Sequence, residues 1–562
     1  MHHHLTLRNK LIIMISVMAS LFLVALDQTI IATALGKIVE QFNAFDSLSW
    51  VVTAYLVTTT ITVPIAGKLS DLFGRRIMLL IGVAVFTIGS LSSGLSGNIT
   101  ELILWRALQG IGGGIITANA FTIVGDLFAA RERGKWQGLI GAVFGLSSVV
   151  GPLLGGWLTD GQHIVGLVTD WRWTFFINVP VGVIAFILIS MYSPTFRHAT
   201  KPSIDYLGAS ILALALAILI FAVDNTDTIF ASFLSATGMT VGTLKALMFG
   251  FVAVLVVLFV LVERKAKQPI LPPLFFKNRN FVLIMGIAML FGSAFMGSIL
   301  YLTQFNQQVF GATPTQSGLM LLPMVGGIMV SSIGAGQIIS RIGRYKIFMQ
   351  VGFIVATIAM FFLSTLTPES GYGYEAMIMV ALGLGMGVAM PVINLAVQNE
   401  FEQSELGAAT SSSQLFRSLG STIGIAVFGA MLTSGIVTHL GDVQQSAYLQ
   451  TLKKNPAVSK IGNLNDANTI LSLNMPDTKG LITSSAQKSF AQIPEPARTN
   501  VEKQFKAQQD QFAGTVTHAF SASLQRIFLV AAGLMVTATI GVFALKERTL
   551  RSAKPTETPG EL

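Results

Sequence analysis

Apolar runs of about 20 residues recur fourteen times along this 562-residue chain, the length an α-helix needs to cross the hydrocarbon core of a bilayer. No water is available there, so each spanning segment must satisfy its own backbone groups, as a helix does. The runs predict helices near residues 11–35, 49–69, 76–96, 102–126, 137–158 and 173–193. A further pair is expected near 205–223 and 245–263, then six near 280–302, 316–339, 347–366, 373–397, 408–436 and 524–545. The expected fold class is an all-α integral membrane protein of about 14 transmembrane helices. Composition agrees, since 11% of residues are charged against roughly 25% in a soluble domain.

The run at 11–35 is too long for a signal peptide and is followed by many more, so it reads as an uncleaved first span. His2, His3 and His4 read as a tag remnant and are set aside. A net charge of +9 invites a nucleic-acid reading. The basic residues instead lie between apolar runs, which excludes a nucleic-acid partner. With the N-terminus in the cytoplasm, 22 Lys and Arg fall in cytoplasmic segments and 3 in the short external loops. That asymmetry orients the chain. Arg75-Arg76, Arg131 to Lys135, Arg264 to Lys267 and Arg341 to Lys346 then face inward, and both termini are expected in the cytoplasm. The long polar segment 437–523 is too long to count in that rule and is placed outside, extracellular or periplasmic. Its part from Pro494 through Phe520 reads as a helix feeding the last span.

A weak repeat marks the organisation. Gly67, Gly74 and Arg75 after span 2 correspond to Gly336, Gly343 and Arg344 after span 10, with Ser340 in place of Asp71. The division expected is a six-helix bundle in residues 1–200, two extra helices in 201–268, and a second six-helix bundle in 269–562 with its external loop. Repeated halves are a transporter architecture. The chain has no cysteine, which removes disulfides, zinc–thiolate sites and cysteine nucleophiles. No P-loop is present, so an ion gradient is the expected energy source. An enzyme would need a nucleophile or metal cluster and a channel would need rings of charge or filter carbonyls. Neither is visible, and no cofactor or metal is expected.

Asp27 is the residue with the strongest chemical implication. A carboxylate deep in a span costs roughly 2.5–3.5 kcal/mol on insertion scales, which points to a proton or cation site. The alternative is a structural ion pair or a carboxylate near the interface. Asp27 lies roughly 12 Å from the outer end of its run, too deep for easy snorkelling. Arg106, roughly 6 Å from the outer end of span 4, is the expected partner. Pairing favours the ionised form and burial the neutral one, so a shift in that balance would load or release a proton.

The turn Gly67-Lys68-Leu69-Ser70-Asp71-Leu72-Phe73-Gly74-Arg75-Arg76 combines two glycines that permit a bend with charges able to lock helix ends. A plain turn with positive-inside charges is the other account. In span 5, Gly141, Gly145, Gly151, Pro152, Gly155 and Gly156 give small residues on one face and a proline that frees a carbonyl. Spans 9–14 are read as holding no Asp or Glu in their apolar stretches. Their polar candidates are Gln304, Asn306, Gln307, Asn394, Gln398, Gln414 and Arg417, and Asp126 and Asp224 read as interfacial. Tyr55, Asn119, Gln304, Asn306, Asn394 and Gln414 are the candidate substrate-cavity residues.

Several of these pieces carry a family resemblance. Leu26-Asp27-Gln28-Thr29-Ile30, the Gly67 to Arg76 turn, Arg106-Ala107-Leu108-Gln109-Gly110 with Gly112, and Gly151-Pro152 to Gly156 resemble the major facilitator superfamily, within it the fourteen-span drug:proton antiporters. Trp171 through Pro180, reading WRWTFFINVP, looks like a hallmark of that branch. The resemblance covers nearly the whole chain. It implies that Asp27 is the coupling acid, that the Asp71 turn is a cytoplasmic gate and that Arg106 lines the proton path. It also implies a monomeric multidrug exporter in the cell membrane, moving small hydrophobic or amphiphilic substrates against protons and conferring antibiotic resistance. Lipid or fatty-acid extrusion is the alternative within the same superfamily. The long loop before span 14 occurs in only some members. Extra second-half carboxylates, reported in some members that handle quaternary or multivalent cations, are not expected here.

Overall fold

The computed structural model of the chain describes residues 6–42, 48–159, 161, 163–164, 167–193, 203–223, 226–438, 446–453, 467–474, 476–491, 494–495 and 497–550. Among the described residues, fourteen helices are long and apolar enough to cross a membrane. They are α1 (Leu7–Phe42), α2 (Leu48–Phe73), α3 (Arg75–Leu95), α4 (Ile99–Leu127), α5 (Ala130–Thr159), α6 (Asn178–Tyr192), α7 (Tyr206–Val223) and α8 (Val241–Glu263). The second half supplies α9 (Arg279–Val309), α10 (Leu322–Ile342), α11 (Lys346–Leu363), α12 (Tyr372–Glu400), α13 (Leu406–Thr438) and α14 (Ala497–Ala544). Short helices Trp173–Phe176 and Pro314–Met320 lead into α6 and α10. Polar side chains cap helices where they begin. Asn98 accepts the Glu101 N–H, and Asn278 accepts those of Asn280 and Phe281. Each satisfies an N–H that the first turn leaves open.

The packing repeats between the halves. In the first, α1 packs on α5 and α6, α2 on α4, and α3 on α4 and α6. In the second, α9 packs on α13 and α14, α10 on α12, and α11 on α12 and α14. Each pairing recurs eight helices later, as the sequence repeat suggests. The halves meet through α5 against α10 and α2 against α13, two contacts that the same correspondence exchanges. The most buried spans are α4 and α12, at matching places in the two bundles, and the least buried is α8. The extra helices α7 and α8 pack on each other, and α7 rests on α2. Val254, Val257 and Leu261 of α8 stay exposed, as suits a lipid-facing surface rather than water.

Two local features extend the sequence reading. His163–Ile164 and Leu167–Val168 form a small antiparallel pair between α5 and the short helix before α6. Within 437–523, helices Ala447–Lys453, Ala467–Asn474 and Pro476–Phe490 pack with the first part of α14. Their shared core includes Tyr448, Leu449, Ile470, Phe505 and Phe512. The expected feeder helix is thus continuous with the last span, giving α14 48 residues. This helical cap is tied to the end of α9, where Gln308 donates to the Leu471 carbonyl at 3.1 Å and accepts from Asn474 at 2.9 Å.

Candidate functional site

Asp27 lies within α1, completely buried at 0% exposure, and Arg106 of α4 is 1% exposed. The Arg106 Nη1 sits 2.5 Å from Asp27 Oδ2. Gln109, one helical turn along α4, donates from Nε2 to Asp27 Oδ1 at 2.8 Å and accepts from Arg106 at 2.8 Å. Asn178, at the start of α6, donates to Asp27 Oδ1 at 3.4 Å and to Ser90 Oγ of α3 at 3.0 Å. Tyr55 of α2 closes the other side, its ring centroid 4.3 Å from the guanidinium carbon. A buried pair offsets its desolvation only when the remaining lone pairs and protons are also bonded. Helices α4 and α6 supply those bonds, α3 holds Asn178 in place and α2 contributes the Tyr55 ring, so the carboxylate sits in a built polar pocket inside an apolar bundle.

The pocket is linked to the seam between halves through α5. Gly151 lets Thr29 of α1 approach so closely that an added Cβ would fall 1.9 Å from Thr29 Oγ1. That hydroxyl donates to the Ser147 carbonyl of α5 at 3.0 Å. Further along the same helix, Gly141 packs on Ser332 and Gly156 on Thr315, both in the second half, and Ser332 donates to the Gly138 carbonyl at 2.8 Å. Pro152 meets Gly318, and Gly155 is buried. One helix therefore touches Asp27's own helix on one side and the other half on the other.

At the opposite end the Gly67 to Arg76 turn closes the halves together. Gly74 takes φ 94° and its counterpart Gly343 φ 75°, a left-handed region that favours glycine. The turn folds Arg75 back, where it binds Asp71 and Ser70 and donates from Nε to Asp126 Oδ2 at 2.8 Å. Asp71 in turn accepts the N–H groups of Gly407 at 3.0 Å and Ala408 at 2.8 Å. These are orphan donors at the start of α13, where the helix dipole favours an anion. Gly67 is required by close approach, since a Cβ there would lie 2.2 Å from Ser411 Oγ. Arg76 holds the Ser190 carbonyl of α6 at 2.5 Å. Gln398 of α12 donates across the seam to the Phe121 carbonyl at 2.9 Å. Asp126, at the C-terminal end of α4, is buried in this lock. Asp224 lies outside the described residues.

The candidate cavity residues separate into groups. Tyr55 belongs to the Asp27 pocket, and Asn119 is sealed, donating to the Ile115 carbonyl of its own helix. Gln304 and Gln307 are half-buried on α9. Asn394 of α12 accepts from Gln414 Nε2 of α13 at 2.8 Å, and Gln414 Oε1 accepts from Arg417 at 2.6 Å. Asn306 faces a residue the sequence reading passed over. Glu375 of α12 is 0% exposed, and the Asn306 amide donates to both of its oxygens at 2.9 Å. The expectation of no carboxylate within spans 9–14 is therefore corrected. Glu375 stands in the run 373–397, in the first turn of α12 just after Gly371-Tyr372-Gly373-Tyr374. Gln109 carried a legible signal, three residues from Arg106 and so on the same helical face. Asn178 lay in the quoted WRWTFFINVP stretch without an assigned role.

Residues 17–425 match the Major Facilitator Superfamily profile. The multidrug transporter protein MdtP of Bacillus subtilis is 36% identical over 455 residues, covering 79% of this chain and 81% of the relative. Multidrug resistance protein 3 of the same organism is 34% identical over 432 residues, covering 76% and 81%. Among solved structures, the human organic anion transporter MFSD10 aligns with a TM-score of 0.55 at 14% identity, over 93% of this chain and 99% of its own. The proton:xylose symporter XylE aligns with a TM-score of 0.54 at 16% identity, over 75% and 88%. Those two show a shared fold, and the relatives are transporters rather than enzymes. With its fourteen spans and repeated halves, this multi-pass membrane chain belongs to the major facilitator superfamily.

Proposed function

We propose that the chain is a proton-coupled exporter of small hydrophobic or amphiphilic compounds, an antiporter with Asp27 as its coupling acid. The observation that carries this reading is the Asp27 pocket, a fully buried carboxylate held by Arg106, Gln109 and Asn178 inside a span. A site so enclosed exchanges a proton only when its helices move. The route for that motion is α5, which packs on α10 across the seam and on Thr29, two residues from Asp27. Rocking one half against the other would then disturb the pocket, linking proton binding to which side is open. The Asp71 lock would hold the cytoplasmic side shut between such motions. The names of the two Bacillus subtilis relatives support multidrug export.

In this reading the chain works in the plasma membrane with both termini in the cytoplasm and the cap built from 437–523 outside, as the basic-residue asymmetry suggests. Residues 1–200 and 269–562 form the moving halves and 201–268 the added pair. One chain contains the whole path, so a monomer suffices. The test is transport in liposomes holding purified protein, with an imposed pH gradient and a panel of neutral and charged fluorescent amphiphiles. Uphill movement that collapses with a protonophore and is absent in Asp27→Asn is expected. Uphill movement by the wild type that ignores the protonophore would overturn the proposal.

A further inference from the structure

Arg417 lies about 16 Å along α13 from Leu406, near the middle of a hydrocarbon core about 30 Å thick. Its partners are neutral. Nη2 donates to Gln414 Oε1 at 2.6 Å, Nη1 to Met390 Sδ at 3.7 Å, and the guanidinium carbon is 5.7 Å from the Phe144 ring centroid. Among the described residues no carboxylate pairs with it, and its Nε is buried without a partner. The contrast with other span arginines is sharp. Arg106 is matched by Asp27, and Arg75 by Asp71 and Asp126.

Its direction is fixed by what it touches. Phe144 is on α5 of the first half, while Met390 and Gln414 are on α12 and α13 of the second, so the guanidinium faces the seam rather than lipid. Arg417 as a whole is half-buried. The polar network around it is also short of acceptors. A guanidinium only donates, so Gln414 must present its oxygen to Arg417 and its amide to Asn394. Asn394 must then present its oxygen, which Ser413 also uses at 3.2 Å, and its own Nδ2 is left buried and unpartnered. Two unused donors and an unmatched positive charge face no spare anion. A charge left so far from water calls for a partner.

We infer that Arg417, with Asn394 and Gln414 behind it, is a binding subsite for the carboxylate of an anionic amphiphile whose apolar part rests on Phe144 and Met390. The inference rests on the export reading and narrows its substrate class to carboxylate-bearing amphiphiles. A neutral or cationic compound leaves the guanidinium unmatched, whereas a carboxylate supplies both charge and acceptors.

The probes are 11-(dansylamino)undecanoic acid and its methyl ester, measured by fluorescence on the purified chain in discs of uncharged lipid. The wild type should bind the acid at least tenfold tighter than the ester. Arg417→Gln should erase that preference while ester affinity stays within twofold, and Arg417→Lys should keep part of it. Equal wild-type affinities, or an intact preference in Arg417→Gln, would overturn the inference. If Arg417→Gln does not fold, the wild-type comparison of acid with ester still decides. Proton-driven export of the ester in liposomes tests the export reading separately. Ester export without acid preference defeats the subsite alone, and acid preference without export of either probe defeats export alone.

Discussion

Asp71 of α2 accepts the backbone N–H of Gly407 at 3.0 Å, so a carboxylate in one half closes the start of a helix in the other. The matching place in the second half, Ser340, carries no charge, although Gly336 meets Gly134 and Gly138 as closely as Gly67 meets Gly407 and Ser411. The repeat therefore keeps the glycine contact on both sides of the seam and the ionic lock on one. A lock on one side can be undone without disturbing the packing on the other.

Asp71→Asn tests that lock. Hydrogen bonds to a charged group are worth roughly 1.5–3 kcal/mol, and the two backbone N–H bonds lose that character. Core packing is untouched and Arg75 keeps Asp126 as its counter-charge, so the variant should still express, with an unfolding temperature lowered by the weakened bonds. Transport should fall by about tenfold, the scale of a roughly 1.4 kcal/mol change in the balance between open and closed forms. Normal efflux by a well-expressed variant would remove the gating role.

The cap offers a clean test of orientation, because the chain has no native cysteine. Ser446 precedes the helix Ala447–Lys453 and is half-buried. Ser446→Cys should react with a membrane-impermeant maleimide in intact cells, and proton-driven transport should continue. Reaction confined to permeant reagents would reverse the topology from α13 onward.

Much of this molecule is legible because a membrane leaves few choices. The spans follow from apolar length, and the Gly67 to Arg76 turn from its glycines and charges. The Asp27–Arg106 pair follows from depth, since two opposite charges in one bundle each need a partner. What sequence does not carry is which face meets which. Asn178 and Ser90 reach the Asp27 pocket only through the packing of α6 and α3 on α1 and α4. Tyr55 meets the Arg106 guanidinium and Asn119 bonds the Ile115 carbonyl of its own helix, contacts that residue type alone does not reveal. Glu375 stands inside a predicted span, and that Asn306 is its partner follows only from the packing of α9 on α12. That no carboxylate among the described residues pairs with Arg417 is invisible without the fold.

Glu375 and Asn306 give a third prediction. Among the described residues Glu375 has no ion pair, so its bonding rests on the Asn306 amide. Glu375→Gln keeps an acceptor for that amide and should leave thermal stability and transport of neutral probes unchanged. Glu375→Ala strands the amide, which costs about 1–3 kcal/mol, and should lower the unfolding temperature. A folded Glu375→Gln that no longer transports would assign the acid to the transport cycle instead.

The last prediction separates the two roles that Asp27 can fill. Removing one partner of a buried pair leaves the other charge unmatched, at a cost of about 3–5 kcal/mol. Asp27→Asn keeps the hydrogen bond to Gln109 but strands Arg106, and Arg106→Gln strands Asp27. Both single variants should therefore unfold at lower temperature than wild type in detergent. The double variant holds two neutral groups of similar shape and should be more stable than either single one, since no charge is left alone. Transport should not follow stability. If Asp27 exchanges the coupling proton, both variants lacking its carboxyl must fail to drive substrate uphill on a pH gradient, the more stable double variant included. Arg106→Gln retains the acid and should keep some proton-driven movement, at an altered pH dependence. Restored uphill transport in the double variant would show that the pair serves only to hold the bundle, and the coupling acid would have to be sought elsewhere.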